Sequence, residues 1–141
     1  MQDPVFAPMK LLLLDDHAQA RAALERRLAA RPGIALVAST DALPEALAAV
    51  DAHAPHAALV DIRRADRAGF DAVEALAGLP AWQRPLIAVH TAFLDGEEWL
   101  RAQRAGAHVS IVKQVSVDAL LERLGEAIRR ELPAARWPGR V

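Results

Sequence analysis

Five polar residues in this sequence directly follow four short apolar runs, and their side chains could together bind a cation. Asp15 and Asp16 follow the first of these runs, Asp61 the second, Thr91 the third and Lys113 the fourth. In an open parallel sheet the carboxyl ends of the strands meet at one edge, and ligands bind there. If the four runs are neighbouring strands, we expect these five side chains to converge on one acidic site.

The three carboxylates of this group predict a metal ion. Carboxylates this close repel each other by about 4 kcal/mol per pair at about 4 Å and an effective dielectric constant of about 20. A cation removes that repulsion, and an all-oxygen set of aspartates suits Mg²⁺. Each residue alone has a simpler interpretation, because a strand-end aspartate often caps the next helix, a threonine forms a turn and a lysine is solvated. The coincidence of all five favours the site.

The elements that must position these residues alternate between strand and helix. The run at 57–60 is apolar at every position, which is typical of a parallel strand covered on both faces. The predicted strands are residues 9–14, 34–38, 57–60, 86–90 and 108–112, and the predicted helices are residues 17–30, 44–53, 70–77, 96–105 and 117–131. This alternation indicates a doubly wound α/β sheet with right-handed crossovers.

Several predicted helix ends have residues of the capping type. Asp16 is placed to cap the first helix, Asp95 forms a capping box with Glu98 before the fourth, and Ser116 is placed to cap the fifth. Gly106 follows the fourth helix, where a glycine commonly ends a helix. The fifth helix has an apolar stripe spaced to lie on a sheet: Val117, Leu120, Leu121, Leu124 and Ile128.

Composition indicates one soluble domain with no unusual charge. The chain has 141 residues, 53% of them hydrophobic, and its 17 basic and 18 acidic residues leave a net charge of −1. That charge gives no field for binding nucleic acid or a membrane, and the lack of cysteine excludes disulfides and thiolate metal sites. We expect a flexible leader at 1–8, a domain at 9–131 and a tail at 132–141. With no signal peptide in the leader, the expected location is the cytoplasm.

The motifs of this chain resemble the receiver domain of bacterial response regulators. The resemblance covers about residues 9–131, and the Asp-Asp-His at 15–17 is most similar to regulators with a LuxR-type helix-turn-helix output. It implies a flavodoxin-like fold with a five-stranded parallel sheet in the order 2-1-3-4-5 and helices on both faces. The motifs are Leu11 to Asp16 followed by His17, then Asp61, Gly69, Thr91-Ala92, Gly106-Ala107 and Lys113.

The resemblance implies a phosphorylation switch in a two-component system. Asp61 would take a phosphoryl group from a sensor histidine kinase or a phosphotransfer protein and form an aspartyl phosphate, with Thr91 and Lys113 contacting the phosphoryl oxygens. The domain would catalyse only its own phosphorylation and dephosphorylation, so it would not be an enzyme in the usual sense.

The family resemblance also implies the ligands of the metal. Mg²⁺ would be bound directly by Asp16 and Asp61, largely through water by Asp15, and by the backbone carbonyl of Arg63. The signal would leave through protein contacts of the face at 95–130, which could also form a homodimer, with no output domain after residue 131 and no direct contact with membrane or nucleic acid.

Three alternatives stay open on the sequence alone. The chain could be a receiver-like interaction module that works without phosphate, or the amino-terminal piece of a longer DNA-binding regulator. It could also be a phosphatase or nucleotide-binding enzyme of the same fold class, although no glycine-rich loop follows the first strand.

Four positions depart from the family pattern. Arg64 and Ala65 replace a usual Met-Pro pair, which implies a more mobile loop after Asp61. Gln114 replaces a proline that usually follows a cis peptide bond, so this bond is expected to be trans or strained. Ser110 replaces the usual aromatic ring, which puts the common readout through that ring in doubt.

Several histidines and aromatic residues are further candidates for functional groups. His53 and His56 are expected to be surface residues because no third metal ligand lies near them in sequence. His17 and His90 are expected to be neighbours of the site, with His90 a possible pH-sensitive modulator. Trp99 is predicted to be either core cover or an exposed anchor for a partner, with the anchor favoured because tryptophan is enriched at binding hot spots. Two further predictions concern the tail, where Trp137 packs back on the domain and Arg136 belongs to a solvated basic end.

Overall fold

The computed structural model describes residues 8–62, 68–93 and 95–139. Five strands alternate with five helices in this part of the chain, and a short 3₁₀ helix follows. The elements are β1 (Met9–Leu14), α1 (Ala18–Ala29), β2 (Ile34–Thr40), α2 (Leu43–His53), β3 (Ala57–Val60), α3 (Ala68–Ala77), β4 (Leu86–Thr91), α4 (Gly96–Ala105), β5 (Val109–Val112), α5 (Val117–Glu131) and the 3₁₀ helix Ala134–Arg136.

The strands form one parallel sheet in the order β2-β1-β3-β4-β5. The predicted doubly wound fold and its strand order are therefore confirmed. β3 lies at the centre of the sheet, between β1 and β4, and all four of its residues have side chains with no exposed surface. This is why the run 57–60 is apolar throughout, since both faces of the strand are covered.

The core has two layers because successive residues of a strand point to opposite faces. Leu12 and Leu14 pack with residues of α2 and α3 on one face. Leu11 and Leu13 pack with residues of α1 and α5 on the other. Four residues of the predicted α5 stripe are buried in this second layer, and Leu121 is half-buried against it. Fully burying one such leucine contributes about 1.5–3 kcal/mol.

Most predicted caps are confirmed, but one is wrong. Asp95 accepts a hydrogen bond from the amide of Glu98, Ser116 accepts one from the amide of Ala119, and Gly106 ends α4 with φ 119°. Asp16 does not cap α1, because the helix begins one residue later and His17 occupies the cap position without a side-chain bond. The carboxylate that bonds the helix entrance is that of Asp15 instead.

Strand and helix limits differ from the predicted ones by one or two residues. Two limits differ by two residues, at β2 and α3: β2 extends to Thr40 rather than residue 38 because Ser39 and Thr40 still pair with β1. α3 begins at Ala68 rather than residue 70, and β4 includes Thr91. The predicted leader lies outside the described residues except for Pro8.

The predictions for Trp99 and Trp137 have different outcomes. Trp99 is half-buried against the α2–α3 layer, so the prediction of an exposed anchor is wrong. Trp137 packs against the α1–α5 layer, as predicted, and its indole N–H donates to the carbonyl of Leu132 at 2.9 Å. No helix within the described ranges combines the length and apolar character that a membrane crossing requires.

Candidate functional site

The polar residues after β1, β3 and β5 are held by the sheet's own hydrogen bonds. The amide of Asp15 donates to the carbonyl of Thr40, that of Asp61 to Leu14, and that of Lys113 to Thr91, at 2.9–3.0 Å. Each residue thus continues the ladder of the strand before it. The backbone at this edge is consequently fixed by the sheet.

A lysine lies between two of the carboxylates. The Lys113 ammonium is 2.7 Å from Asp15 Oδ2 and 3.3 Å from Asp61 Oδ2. The side chains are 18%, 3% and 9% exposed, respectively, so water screens these contacts less than on an open surface. The ammonium thereby compensates much of the repulsion between the two acids.

The three aspartates can supply oxygen ligands to one cation. Asp15, Asp16 and Asp61 each offer a carboxylate oxygen, and these oxygens lie within 4.8 Å of one another. Asp16 is exposed, whereas Asp15 is buried, so the group opens to solvent on the Asp16 side. Carboxylate oxygens are the ligands that Mg²⁺ prefers. The fourth predicted ligand, the carbonyl of Arg63, lies outside the described residues.

The neighbours of Asp15 hold it in one orientation. Its Oδ1 accepts a hydrogen bond from the His17 amide at 2.8 Å, and its backbone carbonyl accepts one from the guanidinium of Arg21. The entrance of α1 therefore fixes one oxygen of Asp15 and leaves the other for Lys113. This role of Arg21 has no signal in the sequence, because it depends on how α1 turns back over the strand end.

The two buried acids have opposite pKa shifts. Burial by itself raises the pKa of Asp15, but the hydrogen bond and charge of Lys113 and the amide of His17 more than offset it, so its net shift is downward. Burial raises the pKa of Asp61, and the neighbouring Asp15 raises it further, although Lys113 opposes both effects. Asp15 is thus the more acidic of the two partners.

Thr91 faces the same opening from β4. It is 5% exposed, and its hydroxyl donates to the carbonyl of Ile62 at 3.1 Å. A cleft beside it is lined by residues of the α1 entrance, the β3 end and the β4–α4 connection, which are His17, Ala20, Asp61, Ile62, Thr91, Ala92, Phe93 and Lys113. The structure therefore brings all five predicted side chains to one edge.

Gly69 lets α3 approach the end of β3 closely. A Cβ built at this position would lie 2.6 Å from the carbonyl oxygen of Asp61 and 2.7 Å from the Cα of Ile62. Any side chain at Gly69 would displace the backbone that carries Asp61. Glycine is thus required at this position because α3 lies directly against the backbone of Asp61 and Ile62.

Sequence reasoning missed a fourth acid near the three predicted metal-binding aspartates. Asp41 lines a pocket with Asp15, Asp16 and Asp61, beside the start of α3. It follows the end of β2, so the rule that found the other strand-end residues could also have found it. The prediction ended β2 too early for that rule to apply.

The positions that depart from the family pattern have ordinary geometry where they are described. The described residues contain no cis peptide bond, so the bond between Lys113 and Gln114 is trans. The side-chain amide of Gln114 donates through Nε2 to the carbonyl of Ala92 at 2.9 Å, which links the β5 end to the β4 end. Ser110 lies half-buried in β5. Arg64 and Ala65 lie outside the described residues.

The histidines near the sheet edges differ from what was expected. His90 is 5% exposed and burial lowers its pKa to about 4, with the charges of Lys113 and Arg27 acting in the same direction and that of Asp15 against them. It therefore stays uncharged near neutral pH, and any pH-dependent change at His90 would occur in the acid range. His56 is half-buried and accepts a hydrogen bond from the Lys10 amide, so it is no free surface residue.

Comparison with known proteins identifies the family. The model of the response regulator receiver domain matches residues 11–125. The chain belongs to this receiver family of two-component systems. The transcriptional regulatory protein KdpE of Mycobacterium tuberculosis is 34% identical over 125 residues, which are 89% of this chain and 53% of KdpE.

Two further comparisons support the assignment. The DNA-binding transcriptional activator DevR/DosR of Mycobacterium tuberculosis is 33% identical over 107 residues, 76% of this chain and 48% of that protein. The receiver chain thus spans about half the length of these curated relatives. The chemotaxis protein CheY4 of Vibrio cholerae has a TM-score of 0.72 at 23% identity, covering 86% of this chain and 99% of that one, which shows the shared fold.

Proposed function

We propose that Asp61 is the phosphoacceptor of this receiver domain and that it works with Mg²⁺. The observation that carries the proposal is the carboxylate group of Asp15, Asp16 and Asp61, whose oxygens lie within 4.8 Å of one another beside the Lys113 ammonium. A negatively charged phosphoryl group needs such a combination of metal ligands and a fixed cation.

In the proposed reaction a carboxylate oxygen of Asp61 bonds to the phosphorus of a phosphohistidine. The P–N bond breaks, and its electron pair returns to the donor nitrogen, which leaves a neutral imidazole when the other ring nitrogen carries a proton. Bound Mg²⁺ would neutralise charge on the phosphoryl oxygens during the transfer. The donor would be a sensor histidine kinase or a phosphotransfer protein, and the location would be the cytoplasm.

Lys113 and Thr91 are proposed to bind the transferred group. Lys113 already contacts Asp61 Oδ2 at 3.3 Å, so small rotations would move its ammonium from the aspartates to a phosphoryl oxygen. Thr91 donates to the carbonyl of Ile62, and the phosphoryl oxygen would replace that acceptor. On phosphorylation the Ile62 carbonyl would lose the hydrogen bond from Thr91, and a phosphoryl oxygen would gain it. Because Thr91 is the last residue of β4, this exchange would couple phosphorylation to the β4–α4 connection.

The signal is proposed to leave through the face at 95–130, including homodimer formation by that face. The bond from Gln114 to the Ala92 carbonyl links the phosphorylation edge to this face without the usual aromatic ring at Ser110. A change from 1:99 to 99:1 between two conformations requires about 5.5 kcal/mol of differential binding. The domain is proposed to have no activity on a separate substrate beyond its own phosphorylation and dephosphorylation.

A second candidate follows from the lengths of the relatives. KdpE and DevR/DosR are about twice as long as the matched region, and DevR/DosR is a DNA-binding activator. In this version the receiver at 9–131, with its segment at 132–141, regulates an attached or separate DNA-binding part. A receiver-like module that works without phosphate is the alternative that a phosphoryl gain in the experiment below would exclude.

The test is the intact mass of the protein after incubation with acetyl phosphate and Mg²⁺. We expect a gain of one phosphoryl group that disappears in Asp61→Asn and after removal of the metal. Asp71→Asn is the matched control, because Asp71 lies exposed on α3 and should leave the gain unchanged. No gain in the metal-loaded wild-type protein would refute the proposed acceptor chemistry.

A further inference from the structure

The amino ends of the strands, opposite Asp61, carry a turn between α3 and β4 that presents a tryptophan. The amides of Gln83 and Arg84 both donate to the carbonyl of Pro80 at 2.9 Å, and the Arg84 guanidinium donates twice to the carbonyl of Leu79 at 3.0 and 3.2 Å. These bonds hold the turn in one conformation. Trp82 is nonetheless 75% exposed at its corner.

The segment after α5 packs against this turn. In the 3₁₀ helix Ala134–Arg136, the Arg136 guanidinium donates to the carbonyls of Ala81 and Arg84. Ala81 directly precedes Trp82 and Arg84 follows it by two residues, so the guanidinium bonds the backbone of the turn on both sides of Trp82. Arg136 is half-buried, and the prediction of a solvated basic end is wrong for this residue.

Positive charge at this corner has no carboxylate partner. Across 8–62, 68–93 and 95–139, no ion pair joins an acid to Lys10, Arg84 or Arg136. Burial and the nearby charge of Arg84 lower the pKa of Arg136, and burial with the charges of Lys10 and Arg136 lowers that of His56. Because the chain as a whole has a charge of −1, this positive corner is a local feature.

We propose that Trp82, Arg84 and Arg136 form a docking site for an acidic segment of a partner protein. Tryptophan and arginine are the side chains that most often dominate binding energy at protein interfaces. A guanidinium with free N–H groups binds a carboxylate through two parallel hydrogen bonds, and partial burial strengthens that contact. The indole, held on a rigid turn, loses little freedom on binding.

A protein segment fits this corner better than a nucleic acid does. Nucleic-acid affinity comes from many phosphate contacts along a basic stripe, whereas the positive charges here lie in one corner. Asp51 and Glu131 belong to the same end of the molecule, where they bond Gln83 and Arg130. The site lies across the sheet from Asp61, so this inference goes beyond the proposed phosphorylation chemistry.

The experiment titrates the full chain with a labelled synthetic peptide of glutamates interspersed with leucines. A peptide with glutamine in place of glutamate is the matched probe. We expect saturable binding of the acidic peptide at millimolar affinity or tighter, at least tenfold weaker binding of the glutamine peptide, and a shift of the Trp82 indole N–H resonance. The half-buried indole of Trp99 gives an internal reference that should not move.

Variants then assign the binding to the corner. Arg136→Gln and Trp82→Ala should each weaken the acidic peptide at least fivefold, whereas Arg129→Gln, which removes an exposed arginine of α5, should leave it unchanged. Arg136→Gln could weaken peptide binding by loosening the tail. Trp82→Ala tests the site without that effect, because the exposed indole lies outside the core clusters. The proposal is overturned by no saturable binding, by equal loss in Arg129→Gln, or by tighter binding of a single-stranded oligonucleotide to the same residues.

Discussion

The two edges of the sheet use their charged side chains differently. At the carboxyl edge Lys113 bonds Asp15 and Asp61, so charged side chains bond one another. At the amino edge Arg136 and Lys10 donate to backbone carbonyls. A bond between side chains can be exchanged for a bond to a ligand, whereas the bonds of Lys10 and Arg136 hold the backbone of the α2 end and of the α3–β4 turn in place.

The histidines of the amino edge show the same use of backbone partners. The residue before β3, His56, accepts at Nδ1 from the amide of Lys10 and donates its own amide to the Lys10 carbonyl. The residue before β5, His108, exchanges the same pair of bonds with Ile87. Each imidazole Nδ1 thus accepts the hydrogen bond that a backbone carbonyl of a neighbouring strand would otherwise accept. It accepts this bond only when Nδ1 carries no proton.

The largest expected effect is the difference in phosphorylation rate between a variant of Lys113, at the carboxyl edge, and a variant of Lys10, at the amino edge. Lys113→Met should slow phosphorylation by acetyl phosphate by about 10²–10³-fold, because a preorganised charge that stabilises the transferring group is lost. Lys10→Met is the matched control and should change the rate less than about twofold, since the Lys10 ammonium donates to the His53 carbonyl at the opposite edge of the sheet. Rates come from intact mass against time, and equal rates in the two variants would contradict the comparison.

Acid sensitivity is the next largest effect. The folded state keeps His90 neutral until about pH 4, while the unfolded chain protonates it below about 6.5. Stability is therefore unaffected at pH 7 and falls as the pH decreases from 6.5 towards 4, because the unfolded state binds the extra proton. The expected loss is on the order of 3 kcal/mol at 1.36 kcal/mol per pKa unit.

Urea unfolding between pH 7 and pH 4.5 measures this effect. His90→Leu should remove most of the acid-induced loss while keeping the buried volume. His56→Gln should remove a smaller part, because burial and the charges of Lys10 and Arg136 lower the pKa of His56 in the same direction. An unchanged pH profile in His90→Leu would show that its burial does not govern acid sensitivity.

A smaller effect concerns the tail. Arg136→Gln removes the hydrogen bonds to the carbonyls of Ala81 and Arg84 and should lower the free energy of unfolding by about 1–2 kcal/mol. Because these bonds lie at the amino edge, the phosphorylation rate should stay within about twofold of wild type. Urea unfolding and intact mass together check both parts, and a slowed phosphorylation would show that the edges are coupled.

The smallest expected effect is that of Trp82→Ala on stability. The indole is 75% exposed, so its removal should change the free energy of unfolding by less than about 0.5 kcal/mol. Trp137→Ala is the contrasting variant, because Trp137 packs on the core and should cost clearly more. Equal losses in the two variants would mean that Trp82 has a packing role that its exposure hides.

Periodicity and strand-end polarity were enough to predict the alternating fold and the five converging residues. Local rules also found Ser116, Asp95 and Gly106, because a cap is decided by residues a few positions apart. The same rules failed for Asp16, since two adjacent aspartates compete for one helix entrance and the sheet decides which one faces it.

The sequence by itself determined the order of strands and helices and the polar residues that follow four of the five strands, because both follow from patterns within one segment. Only the tertiary structure decided which side chains are buried together. Trp99 packs inside and Trp82 does not, and Arg136 bonds a turn more than fifty residues away. These choices depend on the contacts between distant segments, which no local spacing records.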